Sequence, residues 1–241
     1  MKLPRKLKIS PRFARKANVA FQKVAYWLVD MDAEEGGQDS RTIEYSFVVE
    51  KIVGMPKGKM LDVGCTDSGN IIPFLVSSLG WDVHGIDNRL YKFQHPNFHF
   101  QRGDIREKHY TDAFFDCVCA VSSIEHIGLK GRYNVIEDDL EGDVKAVREI
   151  AKILKPNGAF ILTLPFGVKR LVRPLERVYD SAAVDNLLTG WQRRDERYYV
   201  QDGGAWNPTS REAAQKEDYL KGGRAIALFV LTPPAETRRA K

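Results

Sequence analysis

Short apolar runs alternate with amphipathic stretches through the middle of the chain. Each run ends in a polar or glycine-containing turn, and the runs cover residues 60–64, 81–87, 98–101, 115–121 and 159–164. Segments that are apolar at successive positions are typical of strands covered on both faces, which belong to parallel sheets. The pattern therefore predicts five such strands, and two later strands are predicted at residues 197–201 and 225–232.

Helical spacing occurs before, between and after these runs. Apolar residues recur every three or four positions, which predicts helices over residues 13–28, 43–52, 70–79 and 144–154. A lysine, a proline and a glycine within residues 155–158 end the last of them. Alternating strands and helices predict a doubly wound α/β domain.

Charge is unevenly distributed along the chain and suggests a division into two parts. The formal net charge is +5 for 241 residues, yet residues 1–29 hold eight basic side chains and no acidic one. Residues 30–40 are acidic and contain glycine, which is typical of a linker. We predict a basic helical extension with its linker over residues 1–40, and an α/β domain over residues 41–241.

Composition excludes several other classes of protein. No run approaches the roughly 20 apolar residues that a membrane-spanning helix needs. The cysteines Cys65, Cys117 and Cys119 are odd in number and lack a zinc spacing, so reduced thiols are expected. His95 and His99 are separated by a proline, unlike ligands on one helical face, and we predict no metal. The chain is expected to be soluble and cytoplasmic.

Acidic residues lie at the ends of three successive predicted strands. In such sheets ligands bind at the carboxyl ends of the strands, where Asp62, Asp87 and Asp104 are found. Taken singly, each is also typical of a turn or of a helix N-cap. Together they favour a ligand with a cationic end and a ribose, and Gly64 and Gly69 allow such a ligand to approach the backbone closely.

The glycine turn lacks the features of two common phosphate sites. Gly64 and Gly69 have the GxxxxG spacing, but Asn70-Ile71 follows where a phosphate-binding loop needs Lys-Ser/Thr. Thr66 occupies the second glycine position of GxGxxG, which argues against an NAD(P)-dependent Rossmann oxidoreductase. That oxidoreductase stays the first alternative function, and a non-catalytic cofactor-binding scaffold is the second.

Motifs over residues 59–167 resemble those of one enzyme family. In chain order they are LDVGCTDSGN, HGID, RGDIRE, FDCVCAVSSIEHIG and VREIAKILKPNGAFILTLPFG. The order resembles class I S-adenosylmethionine-dependent methyltransferases of the small-molecule and glycan type. The resemblance implies a Rossmann-like, seven-stranded sheet of order 3-2-1-4-5-7-6 with the last strand antiparallel. It also implies methyl transfer from S-adenosyl-L-methionine to an oxygen or nitrogen of a small molecule, or of a glycan or lipid-linked acceptor.

The resemblance assigns roles to individual residues as well. By this resemblance Asp62 and Gly64 lie at the methionine part of the cofactor, Asp87 at the ribose, Asp104 and Ile105 at the adenine, and Ser122 near the methyl group. Gly69 and Asn88 complete the implied cofactor-binding set. His126 is the predicted catalytic residue, a general base whose ordinary pKa suits neutral pH, and the alternative is a structural or cofactor contact. The sequence departs from the family at residues 65–68, where the family has another glycine.

Other segments bear on the acceptor and on partners. Residues 169–206 are rich in arginine and aromatic residues, which suits a sugar, phosphorylated or acidic acceptor, or else a solvated face over core aromatics. Tyr45 is expected at the mouth of the site if the helix before the first strand acts as a lid. Three interpretations of the basic residues 1–29 stay open. They form a solvated cap helix, or they contact an anionic membrane surface, or, as the least favoured alternative, they contact nucleic acid. The oligomeric state is left open.

Overall fold

In the computed structural model of the chain, the described residues are 39–66, 70–131, 133 and 135–235. Apart from Ala205, the elements below belong to one compact unit made of Ser40–Asp202 and Trp206–Lys241. The basic helix predicted for residues 13–28 lies outside the described residues. No helix in the described part of the chain is both long and apolar enough to cross a membrane.

Through β5, helices and strands follow one another in the order that the apolar pattern predicts, and the later strands predicted at residues 197–201 and 225–232 correspond to β8 and β10 below. The helices are α1 Arg41–Val53, α2 Ile72–Ser78, a 3₁₀ helix Ile124–His126, α3 Gly142–Ile153, α4 Ser181–Leu187, α5 Arg211–Ala214 and a second 3₁₀ helix Tyr219–Lys221. The strands are β1 Lys59–Val63, β2 Asp82–Asp87, β3 Phe98–Arg102, β4 Phe115–Val121, β5 Leu154–Phe166, β6 Arg170–Val172, β7 Glu176–Val178, β8 Gln192–Asp202, β9 Ala205–Thr209 and β10 Ala225–Thr232.

The main sheet has the order β3-β2-β1-β4-β5-β10-β8-β9. Strands β1 to β5 pair in parallel, and β10 is antiparallel to both β5 and β8. The α/β class, the strand order and the antiparallel last strand are therefore confirmed, with β8 and β10 in the places of the sixth and seventh strands. The sheet has eight strands rather than the predicted seven, because β9 adds an edge strand. Strands β6 and β7 form a separate two-stranded sheet.

Apolar side chains on both faces of the sheet build two core clusters. Along β1, Met60 packs into one cluster and its neighbour Leu61 into the other. Along β4, Cys117 and Val118 alternate between the clusters in the same way. Successive strand residues point to opposite faces, so runs without polar alternation must be covered on both sides. This burial leaves the strand ends as the places where polar residues can be exposed.

The boundary between α3 and β5 differs from the sequence prediction. The helix ends at Ile153 and the strand begins at Leu154, whereas residues 155–158 were expected to separate the two elements. Phe115 of β4 pairs with Leu154, and the register then shifts so that Cys117 pairs with Ala159. The lysine, proline, asparagine and glycine therefore lie in an irregular stretch inside the strand, where the proline interrupts regular pairing.

Phe229 provides a test of how far stability depends on this core. Its side chain is fully buried in β10, and the ring of Tyr198 crosses it edge-on. Phe229→Ala is expected to lower the free energy of unfolding by about 3–5 kcal/mol, through lost burial and the resulting cavity. Leu90, which is 73% exposed, is the control: Leu90→Ala is expected to change that free energy by less than about 0.5 kcal/mol. Urea denaturation monitored by circular dichroism measures both, and equal losses would contradict the assignment of the core.

Candidate functional site

A cavity lies at the carboxyl ends of β1 to β4. Residues that follow four successive strands line it, as expected for a doubly wound sheet. The predicted site residues that line the cavity are Gly64, Asp87, Asn88, Asp104, Ile105, Ser122 and His126. Of the other two, Asp62 is not among the lining residues, and Gly69 lies outside the described residues.

Gly64 forms the tight turn after β1. Its backbone has a φ of +82°, which side-chain-bearing residues rarely adopt. A Cβ atom at this position would also lie 2.7 Å from the Cβ of Ser123. Ser123 itself lines the cavity, and its buried hydroxyl has no hydrogen-bond partner among the described residues. The turn thus brings backbone and an unsatisfied hydroxyl to the cavity wall.

Asp87 ends β2 as an ionised carboxylate. It accepts hydrogen bonds from the Arg89 backbone N–H at 2.8 Å, from the Arg89 guanidinium, and from the Thr66 backbone N–H at 3.2 Å. Burial alone would raise the pKa of Asp87, but these hydrogen bonds outweigh it and hold the pKa below its ordinary value. The Arg89 guanidinium also lies over the Tyr133 ring, 4.3 Å from its centroid.

Asp104 lies after β3 in a similar environment. Its carboxylate accepts hydrogen bonds from the backbone and the guanidinium of Arg106, and that guanidinium also contacts Asp139 at 2.7 Å. Burial opposes ionisation, but the Arg106 hydrogen bonds prevail and hold the pKa of Asp104 below its ordinary value. Ile105 beside it is buried and lines the cavity. This edge of the cavity therefore combines a charged hydrogen-bond acceptor with an apolar surface.

Glu44 of α1 joins that helix to the ends of β4 and β5. Its buried carboxylate accepts hydrogen bonds from the hydroxyls of Ser122 and Thr163. The Arg41 guanidinium pairs with the same carboxylate at 3.1 Å and lines the cavity. The helix before the first strand does reach the cavity, but through Arg41 rather than through Tyr45, which packs partly buried against the core.

His126 ends the 3₁₀ helix that follows β4 and lines the cavity. Its Nδ1 lies 2.7 Å from the Leu175 carbonyl oxygen. A carbonyl oxygen can only accept, so Nδ1 carries the hydrogen and Nε2 of the neutral ring has a lone pair. Nε2 lies 3.6 Å from Glu125 Oε1, and the Tyr133 ring packs edge-on at 5.3 Å between centroids.

Glu125, next to His126, is a buried acid that the sequence analysis did not select. Its side chain is fully buried, and neither carboxyl oxygen has a hydrogen-bond partner among the described residues. Burial, and then the charge of Glu176, raises the pKa of Glu125 well above its ordinary value. The Arg177 guanidinium supports this loop by donating to the carbonyl oxygens of Glu125 and Ile127, at 3.0 and 2.8 Å.

The arginine-rich and aromatic segment over residues 169–206 does not contribute to the cavity wall within the described chain. Several of its side chains are engaged elsewhere. Arg170 pairs with Asp218 at 2.9 Å and Arg173 with Asp138 at 2.8 Å, while Tyr198 is buried in the core. The prediction that this segment surrounds the acceptor is therefore not supported at this cavity.

Asp62 lies behind the cavity rather than on its wall. Its buried carboxylate accepts hydrogen bonds from the Asn70 amide at 2.7 Å and from the Cys119 thiol at 3.1 Å. Burial raises the pKa of Asp62 to about 6. All three cysteines, Cys65, Cys117 and Cys119, are free and buried. Asp62 thus connects the end of β1 to Asn70 and to Cys119 of β4.

The raised pKa of Asp62 predicts a pH dependence of stability. In the folded state the Asp62 carboxyl group keeps its proton up to about pH 6, whereas the ordinary pKa of an aspartate is 3.8. Because the unfolded chain loses the proton first, the free energy of unfolding falls by up to about 3 kcal/mol as the pH rises from about 4 to about 6. Above about pH 6 the contribution of Asp62 is constant. The Asp62→Asn variant lacks this contribution.

Urea denaturation of the wild type and of Asp62→Asn at pH 4, 5, 6 and 7 measures the effect. The stability of the wild type relative to the variant should decrease from pH 4 to pH 6 and then stay level. A difference that increases with pH over this window would show that Asp62 is ionised in the folded state and would contradict its assignment.

Comparison with known proteins identifies the fold of the chain. YcgJ from Bacillus subtilis is 15% identical, with a TM-score of 0.54, over 80% of this chain and 99% of that one. A SAM-dependent methyltransferase from Methanosarcina mazei is 13% identical, with a TM-score of 0.52, over 78% of this chain and 97% of that one. No curated protein matches the sequence.

A third structure with the same fold is the phosphoethanolamine N-methyltransferase 2 of Haemonchus contortus. It is 16% identical, with a TM-score of 0.50, over 78% of this chain and 52% of that one. These likenesses identify the Rossmann-like fold of class I SAM-dependent methyltransferases. The family model that matches the sequence covers residues 88–218, from the residue after β2 to the residue before the second 3₁₀ helix. The chain therefore belongs to the family described as "Caenorhabditis protein of unknown function, DUF268".

Proposed function

We propose that the protein is an S-adenosyl-L-methionine-dependent methyltransferase that acts on an oxygen or nitrogen atom of a small molecule, or of a glycan or lipid-linked acceptor. The observation that carries this proposal is the cavity at four successive strand ends, lined by Gly64, Asp87, Asp104 and Ser122. A fold shared with methyltransferases supports it. Fold alone does not imply function, so the side chains of the cavity carry the proposal.

Each part of the cofactor has a matching group on the cavity wall. We assign the ribose hydroxyls to the ionised carboxylate of Asp87 and to Asn88, the adenine amino group to Asp104, and the adenine ring to Ile105. Gly64 leaves room for the methionine part, with the Ser123 hydroxyl as a further donor or acceptor. Asp87 already accepts four hydrogen bonds, so we expect the ribose to displace part of the Arg89 guanidinium.

The methyl group is assigned to the end of β4, between Ser122 and His126. Methyl transfer from a sulfonium needs an acceptor held in line with the breaking carbon–sulfur bond, and positioning supplies much of the rate. Glu44 fixes Ser122 from the other side of the wall, and Arg41 borders the same space. A small acceptor suits this proposal, since the Haemonchus enzyme was solved with phosphomonomethylethanolamine.

The basic residues 1–29 lie outside the described chain, so contact with an anionic membrane surface stays a prediction for them. The atom that receives the methyl group and the class of acceptor are likewise parts of this proposal. The cytoplasmic location stays an expectation.

Cofactor binding is the first test, and Asp87 is its most direct probe. Asp87→Ala is expected to raise the dissociation constant of S-adenosylhomocysteine by more than about tenfold, because two hydroxyls lose a charged acceptor. Isothermal titration calorimetry on the full chain measures this change. Asp112, whose side chain is 62% exposed, supplies the control variant Asp112→Ala, for which no change is expected.

A thermal-shift comparison of S-adenosylhomocysteine with NADH separates the proposal from its first alternative. We expect stabilisation of the wild type by S-adenosylhomocysteine and none by NADH. Stabilisation by NADH alone would favour the oxidoreductase. S-adenosylhomocysteine binding without methyl transfer to any small-molecule, glycan or lipid-linked acceptor tried would favour the non-catalytic scaffold.

His126 is the test of chemistry as distinct from binding. His126→Ala is expected to lower turnover by about 10²- to 10⁴-fold, the range of a positioned catalytic side chain, with the S-adenosylhomocysteine affinity changed less than threefold. The measurement is formation of S-adenosylhomocysteine from S-adenosylmethionine in the presence of an active acceptor. Full turnover in the variant would show that His126 has only a structural role.

A further inference from the structure

Three side chains of the kinds that commonly ligate metals converge beside the cavity. Glu125 and His126 come from the 3₁₀ helix after β4, and Glu176 begins β7. One ligand atom of each lies within 4.8 Å of the other two. About 50 residues separate Glu176 from the other two in the sequence, and the backbone brings them together through the short sheet of β6 and β7.

Glu125 gives an independent reason to expect a bound cation at this cluster. Its carboxyl group is fully buried, points toward Nε2 of His126, and has no hydrogen-bond partner for either oxygen among the described residues. Leaving a buried polar group without a partner is unfavourable, and leaving a buried charge without one is more so. A cation satisfies both oxygens and also screens Glu125 from the charge of Glu176.

The orientation of His126 suits coordination of a metal ion through Nε2. Donation of its Nδ1 hydrogen to the Leu175 carbonyl, at 2.7 Å, fixes the ring so that Nε2 faces Glu125. Histidine ligands in metal sites are held in this way by a hydrogen bond from the other ring nitrogen. Ligand atoms about 2.1 Å from a metal lie roughly 3.0–3.4 Å apart, so the 3.6 Å between Nε2 and Glu125 Oε1 requires only a small side-chain rotation.

We propose that Glu125, His126 and Glu176 form a binding site for a divalent first-row cation, Mn²⁺ or Zn²⁺. An imidazole combined with two carboxylates favours these ions over Mg²⁺ and Ca²⁺, which prefer ligand sets made of oxygen alone. No metal is predicted from the sequence, because histidines that are close in sequence are unsuited to one, whereas this cluster joins distant segments. The cluster of Asp82, His84 and His99 is a weaker candidate, because the Lys59 ammonium already neutralises Asp82.

The use of the cation rests on the proposed function, whereas its binding does not. His126 lines the cavity, so a cation held on its Nε2 would lie beside the wall where the acceptor is assigned. A bound acceptor hydroxyl acquires a lower pKa, and its proton passes to water. The oxygen then forms its bond to the methyl carbon as the carbon–sulfur bond of S-adenosylmethionine breaks, which releases neutral S-adenosylhomocysteine. In this scheme His126 acts as a ligand in place of the predicted general base.

Equilibrium dialysis of the full chain against MnCl₂ or ZnCl₂ alone, with metal analysis afterwards, tests the site. We expect one ion per chain for the wild type. Glu125→Gln and Glu176→Gln, which remove one charged ligand each, are expected to weaken binding at least about tenfold. Glu107, whose side chain is 73% exposed, supplies the control Glu107→Gln, for which binding should be unchanged. If Glu125→Gln does not fold, Glu176→Gln and His126→Asn decide the question.

Two outcomes would overturn the proposal. Absence of stoichiometric binding to the wild type would mean that a proton on Glu125 satisfies the cluster. Equal binding by the wild type and by Glu125→Gln would place the ion elsewhere. Titration of S-adenosylhomocysteine in the presence of EDTA separates this proposal from the proposed function, because cofactor binding needs no metal. Failure of that titration would contradict the methyltransferase assignment and leave the metal result standing.

Discussion

Burial of both faces of a parallel sheet is the constraint on which the rest of the molecule depends. Met60 and Leu61 fill opposite sides of the sheet at one strand, and Cys117 and Val118 do so at the next. Because the faces are filled with apolar side chains, polar groups that bind a ligand are confined to strand ends. Parallel pairing brings those ends to a single edge. The cavity is thus a consequence of the same packing that stabilises the fold.

Buried polar contacts then fix the edge of the sheet in one geometry. Glu44 connects α1 to the ends of β4 and β5 through Ser122 and Thr163, and so couples the position of Arg41 to that of the cavity wall. Arg177 ties the loop that carries Glu125 to the small second sheet. Buried groups of this kind are costly unless they are satisfied, and Glu125 stands out because its partners are lacking within the described chain.

Much of the fold and part of the site follow from local patterns in the sequence. Apolar runs located β1 to β4 within one or two residues, and Asp87, Asn88, Asp104, Ile105, Ser122 and His126 line the cavity because they follow those runs. Strand β9 was missed because its sequence contains a proline and exposed polar residues, which do not give the pattern of a buried strand. Glu44 was overlooked, because its partners Ser122 and Thr163 lie far along the chain and only the tertiary fold brings them to it. Glu125 and Glu176 could not be paired, since only the tertiary fold brings them together.

The central claim is that the cavity at the strand ends binds a sulfonium nucleoside. A crystal structure of the full chain grown with S-adenosylhomocysteine tests it most directly. The account predicts ribose hydroxyls within hydrogen-bond distance of Asp87, the adenine amino group at Asp104, and the sulfur close to Ser122 and His126. S-adenosylhomocysteine bound at another surface, or bound in the cavity with its ribose away from Asp87, would contradict it.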